Sequence, residues 1–239
     1  MSKTKSILVT EQQFSDLILK SVFGDNAAKM LDVFKTKDEK NSTDSEDKTD
    51  SKKSSEEYKG SLKNTAGEFN QLDLNNSEDF KAYESIANKF ISTKSSNLLG
   101  ITGNMLATSA KNAQNKFGKY VPVELALAQL AAEGGFSKNP NDRPIKTKNP
   151  FNVGNTDSGA NEFHPSVQSG IQRYYDLIAK NYLVGDKTAS DLLRNFVNKN
   201  GHRYATSKYE GLVSQIASQV KSMSQPIIAS LNKKVSDLT

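Results

Sequence analysis

VPVELALAQLAAEGGF, residues 121–136, is the stretch on which the reading of this chain turns. Pro122 has a fixed φ and no N–H to lose, which suits the first turn of a helix, and Gly134 with Gly135 supplies a stop, because glycine accepts the left-handed cap without steric cost. Between them, Leu125, Leu127, Ala128, Leu130, Ala131 and Ala132 leave almost no polar face. A helix of that kind is expected to be enclosed by other elements rather than laid on a surface. Glu133, at its end, is the anomaly. A carboxylate there faces the negative end of the helix dipole among apolar neighbours, and both effects favour the protonated acid. A retained proton is what a general acid requires. The competing reading has Glu133 pointing into water at a frayed helix end, and the helix alone does not separate the two.

Composition narrows the chemistry. Cysteine is absent from the 239 residues, which excludes a disulfide framework, a thiolate metal site and a thiol nucleophile. The two histidines, His164 and His202, are not spaced as a zinc site. Ile7, Leu8 and Val9 are the only apolar run at the N-terminus, too short for a signal peptide, and no stretch reaches membrane-spanning length. Synthesis in the cytoplasm without an export signal is the expectation. The net charge of +5 is uneven: residues 118–239 carry 15 Lys and Arg against 10 Asp and Glu, whereas the first 117 residues carry 17 of each. A mildly basic back half suits an anionic polymer such as cell-wall glycan or simply a solvated surface. Without a basic stripe interleaved with aromatics, nucleic acid is not an expected partner.

Upstream of the central stretch, Thr10 and Gln13 read as a capping box for an amphipathic helix carrying Phe14, Leu17, Ile18 and Val22, so residues 1–35 form an N-terminal helical segment. Residues 36–57 contain no apolar side chain. They cannot bury enough surface to offset the entropy of ordering, and with the polar residues that follow they read as a linker over 36–76. A helix on such a tether suits docking to an assembly; an inert extension fits the same pattern. Ser77 is a candidate cap for a helix with Phe80, Tyr83, Ile86, Ala87 and Phe90 on one face, and Met105 to Phe117 suggests another, closed by Gly118.

Downstream, residues 137–165 are irregular and rich in Asn, Gly, Pro, Asp and Ser, with Phe151, Val153 and Phe163 as candidates for a small β-hairpin. A loop of that length inside a compact domain is usually functional. Helical periodicity returns with Ile171, Tyr174, Tyr175, Ile178 and Tyr182, then from Thr188 with Leu192, Leu193 and Phe196 to about Gly201, then with Leu212, Val213, Ile216 and Val220. Pro226 is expected to break that last helix, leaving residues 226–239 as a tail or short terminal helix. The expected fold is mainly α: a helical domain over 77–225 with a small β-hairpin or irregular lobe, preceded by a flexible N-terminal extension.

Four blocks in order, ELALAQLAAEGGF, NPFNVGN, GIQRYYDLIAKNYL and RYATSKYEGLV, resemble the glucosaminidase-type peptidoglycan hydrolases of the lysozyme superfamily, which include cell-wall lysins and virion-associated lytic enzymes of bacteriophages. The likeness runs from about Asp79 to Met223. It implies a lysozyme-like domain that cuts the β-1,4 glycan of bacterial peptidoglycan without a metal or other cofactor. It makes Glu133 the general acid, puts Phe151, Asn152, Asn155 and Asp157 at the substrate, and brings Tyr204 near the acid. Amides that donate and accept match hydroxyl and N-acetyl groups, and a phenol can hold a water or steady a developing cation. Turn formation by Asn152 and Asn155, and helix capping by Tyr204, are the structural readings of the same residues.

The chain departs from the family at two places. Where relatives more often carry Glu-Ser-Gly and then Trp, this chain has Gly134 and Phe136. Relatives often add a second acid on the hairpin, and the matching region offers Asp157 and Glu162, with Glu162 preferred as the second catalytic carboxylate because it flanks Phe163. Without a second acid, the lytic transglycosylases of the same superfamily are the nearer parallel. A virion component that keeps the fold for glycan binding or assembly is the reading from another class. Delivery in a phage particle, with residues 1–35 docking to virion or tail proteins, is the expected route to the wall.

Overall fold

A computed structural model of the protein describes residues 62–155 and 161–236. The expected helix within residues 1–35, most of the linker and Asp157 lie outside the described residues. The described part is mainly helical: α1 (Ser77–Ser92), α2 (Gly103–Phe117), α3 (Val123–Ala132), α4 (Arg143–Thr147), α5 (Val167–Leu177) running into a π-helical turn (Ile178–Tyr182), α6 (Ala189–Arg194) and α7 (Ser207–Ser236).

The central stretch folds as its pattern dictates. Every residue of α3 is buried, and α3 packs mainly along α7 with α1 also against it. α1 in turn lies on α2 and α7, and α2 on α5. The helix closes in a Schellman arrangement: Gly134 N–H donates to Ala131 O (3.3 Å) and Gly135 N–H to Leu130 O (3.0 Å), with Gly134 left-handed at φ 79°. Pro144 carbon lies 3.8 Å from where a Cβ on Gly134 would stand, whereas a Cβ on Gly135 would overlap Leu130 and press on the Pro150 carbonyl. The first glycine is therefore required by conformation and the second by close approach.

The other helix starts follow local chemistry. Asn76, one residue before the expected Ser77, caps α1 by accepting the N–H groups of Glu78 (2.8 Å) and Asp79 (3.3 Å). Thr102 caps α2, and Ser166 and Ser169 close a capping box at α5.

Four expectations are corrected. No strand forms among the described residues; the β-type contacts are the single bridges Lys63 with Lys119 and Val197 with Arg203. In place of a hairpin, Asn149 clamps a coil, accepting Val153 N–H (3.1 Å) and donating to Val153 O (2.7 Å), so the backbone polar groups are met by a side chain rather than by a ladder. Second, the part of the linker that is described is packed: Ala66, Phe69, Leu72 and Leu74 are buried, and Thr65 Oγ1 donates to Tyr120 O (2.5 Å). Third, α6 stops at Arg194, since Asn195 is extended and the Phe196 N–H is captured by Glu210 Oε1 at 2.7 Å. Fourth, α7 runs through Pro226. Pro226 and Ser222, the residue whose carbonyl loses its partner, are both exposed, which leaves that carbonyl on the side of the helix open to water.

Candidate active site

The C-terminus of α3 delivers Glu133 to a meeting point of three segments: α7, the coil after α4, and the loop before α7. Glu133 is the C-cap residue and is half-buried as a whole. From α7, the Tyr209 hydroxyl donates to Oε1 at 2.6 Å. From the coil, Asn152 Nδ2 donates to the Glu133 carbonyl at 2.8 Å and, at 3.4 Å, to Oε2. Asn152 takes a left-handed backbone (φ 50°), a conformation that asparagine tolerates better than most residues, and this turn aims its amide at the acid. The Tyr204 phenol lies near enough to the Glu133 carboxyl to favour its charged form.

Burial raises the Glu133 carboxyl above the ordinary carboxylate range, and the hydrogen bonds from Tyr209, Asn152 and Tyr204 only partly offset it. The phenols of Tyr209, Tyr204 and Tyr174 are pushed well up, first by burial and next by a neighbouring charge, which for Tyr209 and Tyr204 is that of Glu133. They remain protonated donors. The surroundings therefore favour the protonated form of the Glu133 carboxyl and orient it through the Tyr209 and Asn152 hydrogen bonds, which is the arrangement a general acid needs.

Behind the acid, Gln129 sits one turn earlier on α3 with both ends of its amide engaged: Nε2 donates to the Tyr209 hydroxyl (3.1 Å) and Oε1 accepts from the Tyr174 hydroxyl (2.7 Å). Tyr174 stacks on Phe151, with ring centroids 3.7 Å apart and planes 6° from parallel. Tyr204 packs on Tyr209, Phe196 and Tyr182, and its N–H donates to Phe196 O at 2.7 Å. Glu210 anchors that loop by accepting from Arg203 Nη1 (2.6 Å) as well as from Phe196.

The residues expected at the site separate into three groups. Glu133, Asn152 and Tyr204 are brought together. Asn155 reaches the acid indirectly: its Nδ2 donates to Asn152 Oδ1 (3.1 Å) and its Oδ1 accepts the Glu162 N–H (2.7 Å), making an amide track away from Glu133. Phe151 is wholly buried under Tyr174, so it is a floor for the tyrosines rather than a substrate contact. Glu162 is bound elsewhere, its Oε1 accepting from Arg173 Nε at 3.0 Å with His164 Nε2 at 3.6 Å. Burial lowers the His164 imidazole, a shift that Arg173 reinforces and Glu162 opposes.

Sequence reasoning missed Tyr209 and Gln129 as site residues. Gln129 had a usable signal: it is the lone amide in an otherwise apolar helix interior and stands at i−4 from Glu133, on the same face. Tyr209 had a weaker one, five residues beyond Tyr204 in the same block. No protein-family model, curated protein or solved structure matches this chain. Among the described residues, no helix is long and apolar enough to cross a membrane.

Proposed function

We propose that this protein cleaves the β-1,4 glycan of bacterial peptidoglycan as a glucosaminidase-type enzyme on a lysozyme-like helical domain, with Glu133 as the general acid. The observation that carries the reading is the Glu133 carboxyl itself: raised by burial, on a half-buried residue at the end of α3, with Oε1 held by Tyr209 and Oε2 near the Asn152 amide. In the reaction, the Oε2 hydrogen passes to the glycosidic oxygen as that oxygen leaves the anomeric carbon with the bonding electron pair. Positive charge then develops on the sugar ring, and the carboxylate left behind and the Tyr204 phenol stabilise it. Asn152 meets an N-acetyl or hydroxyl group of the substrate. Water then bonds to the anomeric carbon and gives up a proton to the Glu133 carboxylate, which restores the acid.

A second reading is favoured by the engagement of Glu162 with Arg173. With that carboxylate committed to an ion pair, the sugar's own hydroxyl takes the place of an activated water, as in lytic transglycosylases, and the product is an anhydro sugar. Delivery by a phage particle, with residues 1–35 binding virion or tail proteins, completes the proposal.

Digestion of purified peptidoglycan by the full chain, followed by mass analysis of the soluble fragments, tests both readings. Reducing N-acetylglucosamine ends support the first and anhydro ends the second. Absence of any released saccharide contradicts both.

A further inference from the structure

Glu133 is reached by a hydrogen-bond chain that has a direction. Gln129 is completely buried, as are Tyr174 and the contacts behind it, so each polar atom must find its partner within the protein. The Tyr174 hydroxyl gives its hydrogen to Gln129 Oε1. With Oε1 facing Tyr174, the amide turns Nε2 towards Tyr209, whose oxygen accepts at 3.1 Å. A phenol carries one hydrogen. With its oxygen already accepting, Tyr209 directs that hydrogen to Glu133 Oε1, 2.6 Å away. The reversed amide would present its oxygen to Tyr209, draw the hydroxyl hydrogen back into the core and leave Oε1 without its donor.

We propose that Gln129 is a positioning residue that polarises the chain Tyr174, Gln129, Tyr209, Glu133 in one direction, keeping Oε1 an acceptor and confining the transferable proton of Glu133 to Oε2. The inference rests on the glycosidic reading for the use to which that proton is put; the polarisation itself needs no substrate. Its consequence is that a buried amide one helical turn from the acid sets which oxygen meets the glycosidic bond. The ionisable groups whose interaction with Glu133 bears on this chain are the phenols of Tyr174 on α5, Tyr204 in the loop before α7 and Tyr209 on α7. All three are neutral donors across the carboxyl's titration, which leaves hydrogen-bond direction as the variable.

The test is an NMR titration of the full chain labelled with 13C at glutamate carboxyls, the Glu133 signal being the one missing from Glu133→Gln. Tyr209→Phe is expected to raise the Glu133 midpoint by about one pH unit, the equivalent of one hydrogen bond to a charged group. Gln129→Met is expected to raise it by roughly half as much, since Tyr209 is then free to turn. In the double variant Gln129→Met adds nothing, because the link it acts through is gone. A Gln129→Met midpoint equal to that of the parent, or a shift that persists undiminished beside Tyr209→Phe, overturns the proposal. Should Gln129→Met fail to fold, Tyr174→Phe, which keeps the ring stacked on Phe151, takes its place: a smaller upward shift supports the relay and an unmoved midpoint overturns it. The titration pattern holding in a protein that releases no saccharide would support the relay while sinking the glycosidic reading.

Discussion

Tyr209 and Glu133 meet hydroxyl to carboxyl at 2.6 Å across the seam between α7 and α3, 76 residues apart in sequence. The longest helix of the described domain thereby holds the acid that its most buried helix presents. Tyr209→Phe keeps the ring and removes the donor. The alkaline limb of the activity profile, governed by loss of the Glu133 proton, should move to higher pH, while the maximal rate falls roughly ten-fold through looser placement of the carboxyl. Steady-state rates on solubilised glycan across pH provide the check; an unmoved limb with an unchanged rate would contradict the role given to Tyr209.

The same carboxyl links stability to pH. Burial raises its pKa in the folded state, so the folded protein holds this proton more tightly than the unfolded chain does. The contribution is complete below the ordinary carboxylate range and is lost as pH rises through the higher folded value. Glu133→Gln removes the term. The melting temperature of the parent relative to Glu133→Gln should therefore fall as pH rises above the ordinary carboxylate range and level off once pH exceeds the raised folded-state value. Differential scanning fluorimetry of the two proteins in parallel measures it, and a difference that stays constant with pH would contradict a raised carboxyl.

Glu162 is predicted to be dispensable for the chemical step, because its Oε1 is taken by Arg173. Glu162→Gln should lower the rate by less than about ten-fold, against the far larger loss expected for a catalytic carboxylate. A collapse of the rate constant with folding intact would restore Glu162 as the second acid.

The two glycines after Glu133 are predicted to differ. Gly134→Ala strains a left-handed residue with space around it, at a cost of about 1 kcal/mol. Gly135→Ala must displace Leu130 and the Pro150 carbonyl, so it should be the more destabilising, by several kcal/mol if the end of α3 cannot shift. Urea unfolding of both variants ranks them; equal costs would mean that the close approach at Gly135 relaxes freely.

Much of the fold was legible because its signals are local. The apolar run of α3, the Pro122 start and the Gly134 and Gly135 stop lie within one stretch, and the helix forms where they put it. The acid was legible for the same reason, as a charge ending an apolar helix. What failed was decided by tertiary structure. Phe151 alternates like a strand residue, yet Tyr174 offers it a stacking face and Asn149 supplies its coil with side-chain hydrogen bonds. Pro226 breaks a helix in sequence logic, but on the exposed side of a packed helix the freed carbonyl is open to water and the helix continues. Tyr209 looked like any helical aromatic until α7 was laid along α3.

The most direct measurement is release of reducing or anhydro sugar ends from purified peptidoglycan by the parent chain and by Glu133→Gln at matched folded concentration. Glu133→Gln retains the side-chain size and loses only the titratable proton, so the rate should drop by at least about a hundred-fold while glycan binding persists. Release at the parent rate by Glu133→Gln would contradict the assignment of Glu133 as the acid.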